Sequence, residues 1–435
     1  MHNAISKSKW LLLREFYSLI IKIFASFFLM KLVGPAQFGM YASVVGLIMF
    51  LTAICQMGIN IFIVKEDFDK KNLIQGFTLS LISSLSLTLI LIPCIIFFFD
   101  LKLLILIVLP TLILSNLKIV SLGLLEKNVE YKKISLIDFV SQLIFYLTSF
   151  LLYKFGAKGL CLGYLLSVIY SFLHTIRFYP ICFQLMMPSK KMLCFSLSYT
   201  FSNFGWQTRN LINMILLPIF GATNVGYISF ATKLCDSANI IKDTTRRVSI
   251  KMLSGENKNI SNLINRGMII QVFSICSLMS LMVLFFPIIN KFMGKDWNGA
   301  SEIILFSAIF YCFGSFFNIQ SMFLTILNKN LINGFYLLIQ TFSIIVISLL
   351  LYSHFGITSY CISLIVSSFS GFFIYIGLKD FKIKHKQAVI YLLFFLFLII
   401  SSKFFWWSPA LSLALLLNKN TRDLIKNTFQ AIKGK

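Results

Sequence analysis

The chain has 435 residues, of which 58% are hydrophobic and 12% charged, with 47 Phe and a mean hydropathy of +0.86. Soluble domains are roughly 45–50% apolar and about 25% charged, so an ordinary soluble fold is excluded. The net charge of +24 is not gathered into a patch on a soluble domain, which argues against a nucleic-acid partner.

Runs of about 18 or more apolar residues read as membrane helices. Strands of a membrane barrel alternate apolar and polar residues, whereas stretches such as "LTLILIPCIIFFF" (87–99) do not. In chain order the spans fall near 11–33, 39–64, 73–99, 103–125, 134–153, 158–179, 192–218, 226–249, 263–290, 302–327, 331–353 and 357–378. A further apolar region, 388–417, is interrupted by Lys403 and "WWSP" and reads as a pair of short helices. The expected fold is therefore an all-α polytopic membrane protein with about 14 helices, or 12 without the last pair. Lys7, Lys9 and Arg14 precede the first span, and no small-residue cleavage site follows it, so that helix reads as a retained anchor.

Basic residues set the orientation. Alternate loops and the two ends carry 26 of them, and the opposite loops carry six: Lys102, Lys154, Lys158, Lys291, Lys295 and Lys403. Both termini are expected in the cytoplasm. The tail spaces Ile425, Phe429 and Ile432 as a helix among basic residues, a pattern suited to an anionic membrane surface.

One short corner is spelled twice. "KLVGPAQFGMYA" (31–42) and "LPIFGATNVGYIS" (217–229) each place two glycines five apart, Gly34 and Gly39, then Gly221 and Gly226, at an offset of 187 residues. Glycine suits such loop corners because it tolerates positive φ and close backbone approach. A second echo pairs "LEKN" (125–128) with "LNKN" (327–330), and the spans that follow end in "YKFGAKG" and "YSHFGIT". Helices 1–6 and 7–12 thus form a parallel repeat, with lobes 1–190 and 191–380 and additional helices plus a basic tail in 381–435.

A charge at the bilayer centre costs at least about 2.5–3.5 kcal/mol and normally faces a cavity or a partner. Such residues concentrate in helices 1, 7 and 8. Helix 1 holds Arg14, Glu15, Lys22 and Lys31; Lys31 and Arg14 stand near its ends and can snorkel. Lys22 lies roughly 18 Å before the corner, near mid-membrane, and the 187-residue offset carries it to Arg209. Helix 7 adds Asn203, Gln207, Asn210 and Asn213, and helix 8 carries Lys233, Asp236, Asn239, Lys242 and Asp243. Together these residues form an expected polar lumen in which cations outnumber anions. Guanidinium and ammonium groups suit phosphate oxygens, and amides suit sugar hydroxyls. Asp138 in helix 5, and Asn116 with Lys118 in helix 4, stand apart and read as structural, with Asp138 kept as an ion-coupling candidate. The nine cysteines and four histidines are dispersed with no metal spacing, so neither a metal nor a cofactor is expected.

The stretch "LVGPAQFGMYASVVGLIMFLTAICQMGINIFIVKED" (32–67) resembles the pattern after the first helix of bacterial O-antigen repeat-unit flippases. These belong to the multidrug/oligosaccharidyl-lipid/polysaccharide exporter superfamily. The resemblance covers roughly residues 1–380 and implies two six-helix lobes around a central cavity lined by helices 1, 2, 7 and 8. Carried over by position, it places Lys22, Gln56, Arg209, Lys233 and Asp236 in that lumen. It also implies translocation of undecaprenyl-diphosphate-linked oligosaccharide to the periplasmic leaflet of the inner membrane by alternating access. Glu15 and Asp236 become candidates for coupling to a proton or sodium gradient, and polysaccharide polymerase machinery a possible partner. A multidrug exporter or a peptidoglycan-precursor flippase would share the fold, although a net-positive lumen repels organic cations. A membrane polymerase or ligase would need a large periplasmic catalytic loop, and the fullest such connection is only "NKFMGKDWNGASE" (290–302).

Overall fold

The repeated corner is the place where sequence most directly becomes backbone. In the computed structural model, Gly34 turns the chain at φ 80°, ψ 163°, and Gly221 does so at φ 76°, ψ 160°. The second echo behaves alike: Gly156 sits at φ 58°, ψ −131° and Gly356 at φ 54°, ψ −135°. Positive φ at all four positions is why each is glycine. Two pairs of matched dihedrals mark the duplication at the level of the chain itself.

The structure describes residues 25–65, 69–98, 101–128, 130–180, 184–236, 238, 242, 260–326, 329–378 and 386–403. All regular elements among them are helical: α1 (25–33), α2 (Pro35–Gln56), α3 (Ile59–Lys65), α4 (Lys70–Phe98), α5 (Lys102–Leu117), α6 (Ile119–Lys127), α7 (Tyr131–Leu151), α8 (Ala157–Phe178), α9 (Lys190–Gln207) and α10 (Ile212–Cys235). Then follow α11 (Ile260–Met293), α12 (Ala300–Ile326), α13 (Asn330–Phe355), α14 (Thr358–Ser368), α15 (Ile374–Leu378) and α16 (Lys386–Ser401). Nine of the described helices are long and apolar enough to cross a membrane, ten if α5 and α6, bent by 41°, form one span. The protein is an all-α polytopic membrane protein. Of the expected C-terminal helix pair, α16 is described; the second member and the basic tail lie outside the described residues, as does most of the first span.

Several spans read as continuous from hydropathy are broken. The second divides at Met57 and Gly58, both left-handed (φ 47° and 65°), into α2 and α3. The seventh passes through a 3₁₀ turn, Thr208–Leu211, between α9 and α10, and the twelfth through another, Phe369–Phe373. Apolar composition fixes that a segment enters the membrane, not that it stays helical.

Packing divides the chain into two compact units, Met1–Gly226 and Tyr227–Lys435. The sequence repeat puts its boundary at 190/191; the packing boundary falls instead within α10. In the first unit α8 packs against α7 and α5, α2 against α5, and α3 against α6. In the second, α11 pairs with α12, α13 with α14, and α16 lies on α11 and α12.

Polar side chains inside the helices are largely satisfied locally. Along α4, Thr78, Ser84 and Thr88 donate to the carbonyls of Ile74, Ser80 and Ser84, four residues back, at 2.7–2.9 Å, the usual way for hydroxyls to be accommodated in a membrane helix. Large side chains such as Leu89 (68% exposed) and Leu151 (78% exposed) face outward, as a lipid-facing surface requires.

Candidate functional site

Helix α2 carries two contrasting contacts with the segment 199–226, all within the first unit. At its start the two corners meet. A Cβ added to Gly39 would overlap the carbonyl oxygen of Ala222 and stand 2.7 Å from the nitrogen of Gly226, while one added to Gly226 would overlap the carbonyl oxygen of Pro35. The 187-residue offset relates Pro35 to Ala222 and Gly39 to Gly226, so the contact is reciprocal about a local two-fold. Gly34 and Gly221 make the turns. Gly39 and Gly226, expected at loop corners, instead stand inside helices, buried where two backbones touch. Close approach through small residues is how membrane helices gain packing without a hydrophobic drive. The seam continues through Ser43, whose hydroxyl donates to the Asn213 carbonyl at 3.2 Å, and Gly46, which lies against the Asn210 carbonyl.

At its other end α2 opens. The left-handed break at Met57–Gly58 borders a cavity of about 160 Å³ lined by Gln56, Asn60, Tyr199, Thr200, Phe204 and Gln207, among others. Gly58 is required twice, for φ 65° and because the Tyr199 ring lies where a Cβ would be. Gln207 accepts a hydrogen bond from Asn210 Nδ2 through Oε1 at 3.1 Å, which fixes its amide. Asn60 Nδ2 donates to Glu126 at 3.4 Å. Arg209 follows on the 3₁₀ turn, half-buried, with its Nε shut away from solvent.

The second unit gathers a different set. Asp236, at the end of α10, accepts the Tyr311 hydroxyl at 2.5 Å, and Lys242 Nζ sits 4.5 Å from the centre of the same ring. Lys233 is exposed on α10. Asp138 is not isolated: Lys118, at the α5–α6 bend, lies within its electrostatic reach and donates to Ser171 at 2.8 Å.

The structure therefore brings Gln56 and Gln207 to one cavity, with Asn210 bonded to Gln207 and Arg209 next in the chain, and it brings Asp236 and Lys242 to another place. Arg14, Glu15, Lys22 and Asn239 lie outside the described residues; Asn203 is placed on α9 by its backbone. Tyr199, Phe204 and Tyr311 were not singled out from sequence, because aromatics make up 16% of the chain and none stands out. A tyrosine within an apolar span, away from the interfacial belts where Tyr is expected, was the available signal for Tyr311. No cluster able to hold a metal occurs among the described residues.

This architecture is shared with membrane transporters of known structure. The lipid II flippase MurJ in an inward closed conformation aligns over 95% of this chain and 100% of its own, with a TM-score of 0.76 at 15% identity. An inward-facing multidrug resistance MATE family transporter of the MOP superfamily aligns over 88% and 95%, with a TM-score of 0.62 at 14% identity. A MOP superfamily transporter from Pyrococcus furiosus, described as having a binding pocket of reversed polarity, aligns over 92% and 96% with a TM-score of 0.54 at 13% identity. At such identities the likeness defines the fold. No curated protein sequence matches the chain. The polysaccharide biosynthesis protein family matches residues 28–302, more than half of the sequence. The chain belongs to that family.

Proposed function

We propose that the protein carries a polyprenyl-diphosphate-linked glycan across the bacterial inner membrane, from the cytoplasmic to the periplasmic leaflet, by alternating access. The substrate in this reading is an O-antigen or related surface-polysaccharide repeat unit on undecaprenyl diphosphate. The observation that carries it is Arg209 on a helix interruption, one residue from the 3₁₀ turn's start and two from the amide of Gln207, in a chain of the polysaccharide biosynthesis family. A guanidinium offers paired donors to a pyrophosphate, and helix interruptions in membrane carriers are tolerated where they line a cavity or a site. Lys22, at the repeat-equivalent position, is the second cation of the proposed clamp, with Arg14, Lys233 and Lys242 completing the basic lining. The polyprenyl chain stays in lipid, and no covalent step is needed: the protein replaces water around a charged headgroup that hydrocarbon would otherwise reject.

Residues 1–190 and 191–380 serve as the two moving repeats, with 381–435 as an accessory segment and both termini cytoplasmic. Asp236, held by Tyr311, is the proposed site of proton or sodium coupling, together with Glu15; Asp138 is assigned to neutralising Lys118. The product would be handed to polymerase machinery.

Deleting the gene and measuring surface polysaccharide and lipid-linked precursor tests this. The expected result is loss of polymer with accumulation of precursor, repaired by the wild-type gene and not by Arg209→Ala. Unchanged polymer would overturn the reading. Lysis without a polysaccharide defect would favour a peptidoglycan precursor, and altered resistance to cationic dyes alone would favour a multidrug carrier.

A further inference from the structure

The cavity at the α2–α3 break differs chemically from an anion site. Its lining includes the amide residues Gln56, Asn60 and Gln207, the hydroxyl-bearing Thr200 and Tyr199, and Phe204, with no charged residue among them. The Thr200 hydroxyl donates to the Ser196 carbonyl at 2.8 Å and can still accept. A phosphate placed there would be desolvated without a counter-charge. A hydrocarbon chain would leave unmet the donors and acceptors of these amides that Glu126 and Asn210 do not already engage. The group that suits the lining is neutral, carries donors and acceptors on the same atoms, and has an apolar face for the aromatic rings. Amides supply both donors and acceptors, and the bond from Asn210 occupies Gln207 Oε1, leaving its Nε2 donors to be offered inward.

Size points the same way. A cavity of about 150 Å³ takes a benzene ring, so at about 160 Å³ this one has room for the ring of a single sugar and not for a disaccharide. Its existence follows from the local sequence: the left-handed pair Met57–Gly58 stops α2, and the bare Gly58 lets the Tyr199 ring close one wall. Non-helical backbone at membrane depth is stable only where it is buried in protein or lines a polar cavity, and this break borders one.

We infer that this cavity is a neutral sugar subsite that holds one pyranose ring of the carried glycan, next to the pyrophosphate held by Arg209. The inference rests on the carrier reading above and adds the part of the substrate that is read for identity. Amide-to-hydroxyl bonds would discriminate between sugars, because a hydroxyl missing or misplaced leaves a buried amide unpaired.

The test uses purified full-length protein in detergent and follows thermal unfolding with methyl glycosides of glucose, galactose, rhamnose and N-acetylglucosamine. Wild type, Gln207→Leu and Thr200→Val are compared in the same sugar at the same concentration, so that general cosolvent stabilisation cancels. At least one glycoside is expected to raise the wild-type Tm by about 2 °C more than that of either variant. Equal shifts in all three proteins, or no shift with any glycoside, would overturn the subsite. Inorganic pyrophosphate is run in parallel. A pyrophosphate shift lost in Arg209→Ala alongside absent glycoside shifts would overturn the sugar subsite while leaving the carrier reading intact.

Discussion

The two ends of α2 make opposite use of the same neighbouring segment. At the Gly39 end, backbone touches backbone across Ala222, Gly226 and Pro35, with no side chain between. At the Gln56 end, the helix stops and a polar cavity lies against α9, beside the contacts of Gly58 with Tyr199 and of Phe50 with Phe204. A seam of small residues is close-packed, so even one added methyl must move a backbone; a cavity bordered by amides tolerates a change of side chain and loses recognition instead. Under the proposed carrier reading, one end of the helix serves closure and the other meets the cargo.

Substitutions can break this comparison. Gly39→Leu is expected to have the largest effect, reducing surface polysaccharide about 100-fold or more, because the added side chain must force two backbones apart at the upper end of the about 1–3 kcal/mol that overpacking costs. The equivalent Gly226→Leu should match it, as the reciprocal contact requires, and retention of export by either would show that the seam is not closed in the working protein. Arg209→Ala should lower export about 10- to 100-fold, in line with about 1.5–3 kcal/mol for a charged hydrogen bond, with little change in folded yield. Arg209→Lys should retain part of that activity: a larger loss favours paired donors over simple charge. Gly58→Ala sharpens the other end. It adds a Cβ at φ 65° against the Tyr199 ring, a strain of about 1–2 kcal/mol, and should lower Tm by a few degrees while removing the glycoside-dependent shift. The smallest effect is expected away from both regions. Tyr311→Phe keeps the ring under Lys242 but removes the hydroxyl given to Asp236; a fall in export of about fivefold corresponds to one hydrogen bond of about 1 kcal/mol. Tyr311→Ala, which also removes the ring, should cost more.

Much of this was readable in the residues. Gly34 and Gly221 were identifiable as turns because only glycine accepts their φ, and the matching offset predicted their matching dihedrals. Gln207 and Asn210 were identifiable because an amide in an apolar span needs a partner, whereas Gln56 came only from the family resemblance. The breaks at Met57–Gly58 and at Thr208–Leu211 were not, because hydropathy averages over the apolar residues on both sides and is blind to φ and ψ. Nor was the role of Gly39 and Gly226: a glycine in a turn and a glycine under another helix's carbonyl have the same local sequence, and only the tertiary contact separates them. The link from Lys118 to Asp138 was missed for a similar reason, since it depends on how two consecutive helices pack and not on local spacing.

The proposal that this chain moves a pyrophosphate-linked glycan is tested most directly in sealed vesicles. Purified protein would be reconstituted with a fluorescent polyprenyl-diphosphate-linked oligosaccharide, and an impermeant periodate reagent would report how much of it reaches the outer leaflet with time. Wild-type vesicles should expose the inner pool well beyond protein-free vesicles, and Arg209→Ala should slow that exposure about tenfold or more. Exposure no faster than in protein-free vesicles, or a rate unchanged by Arg209→Ala, would contradict the account.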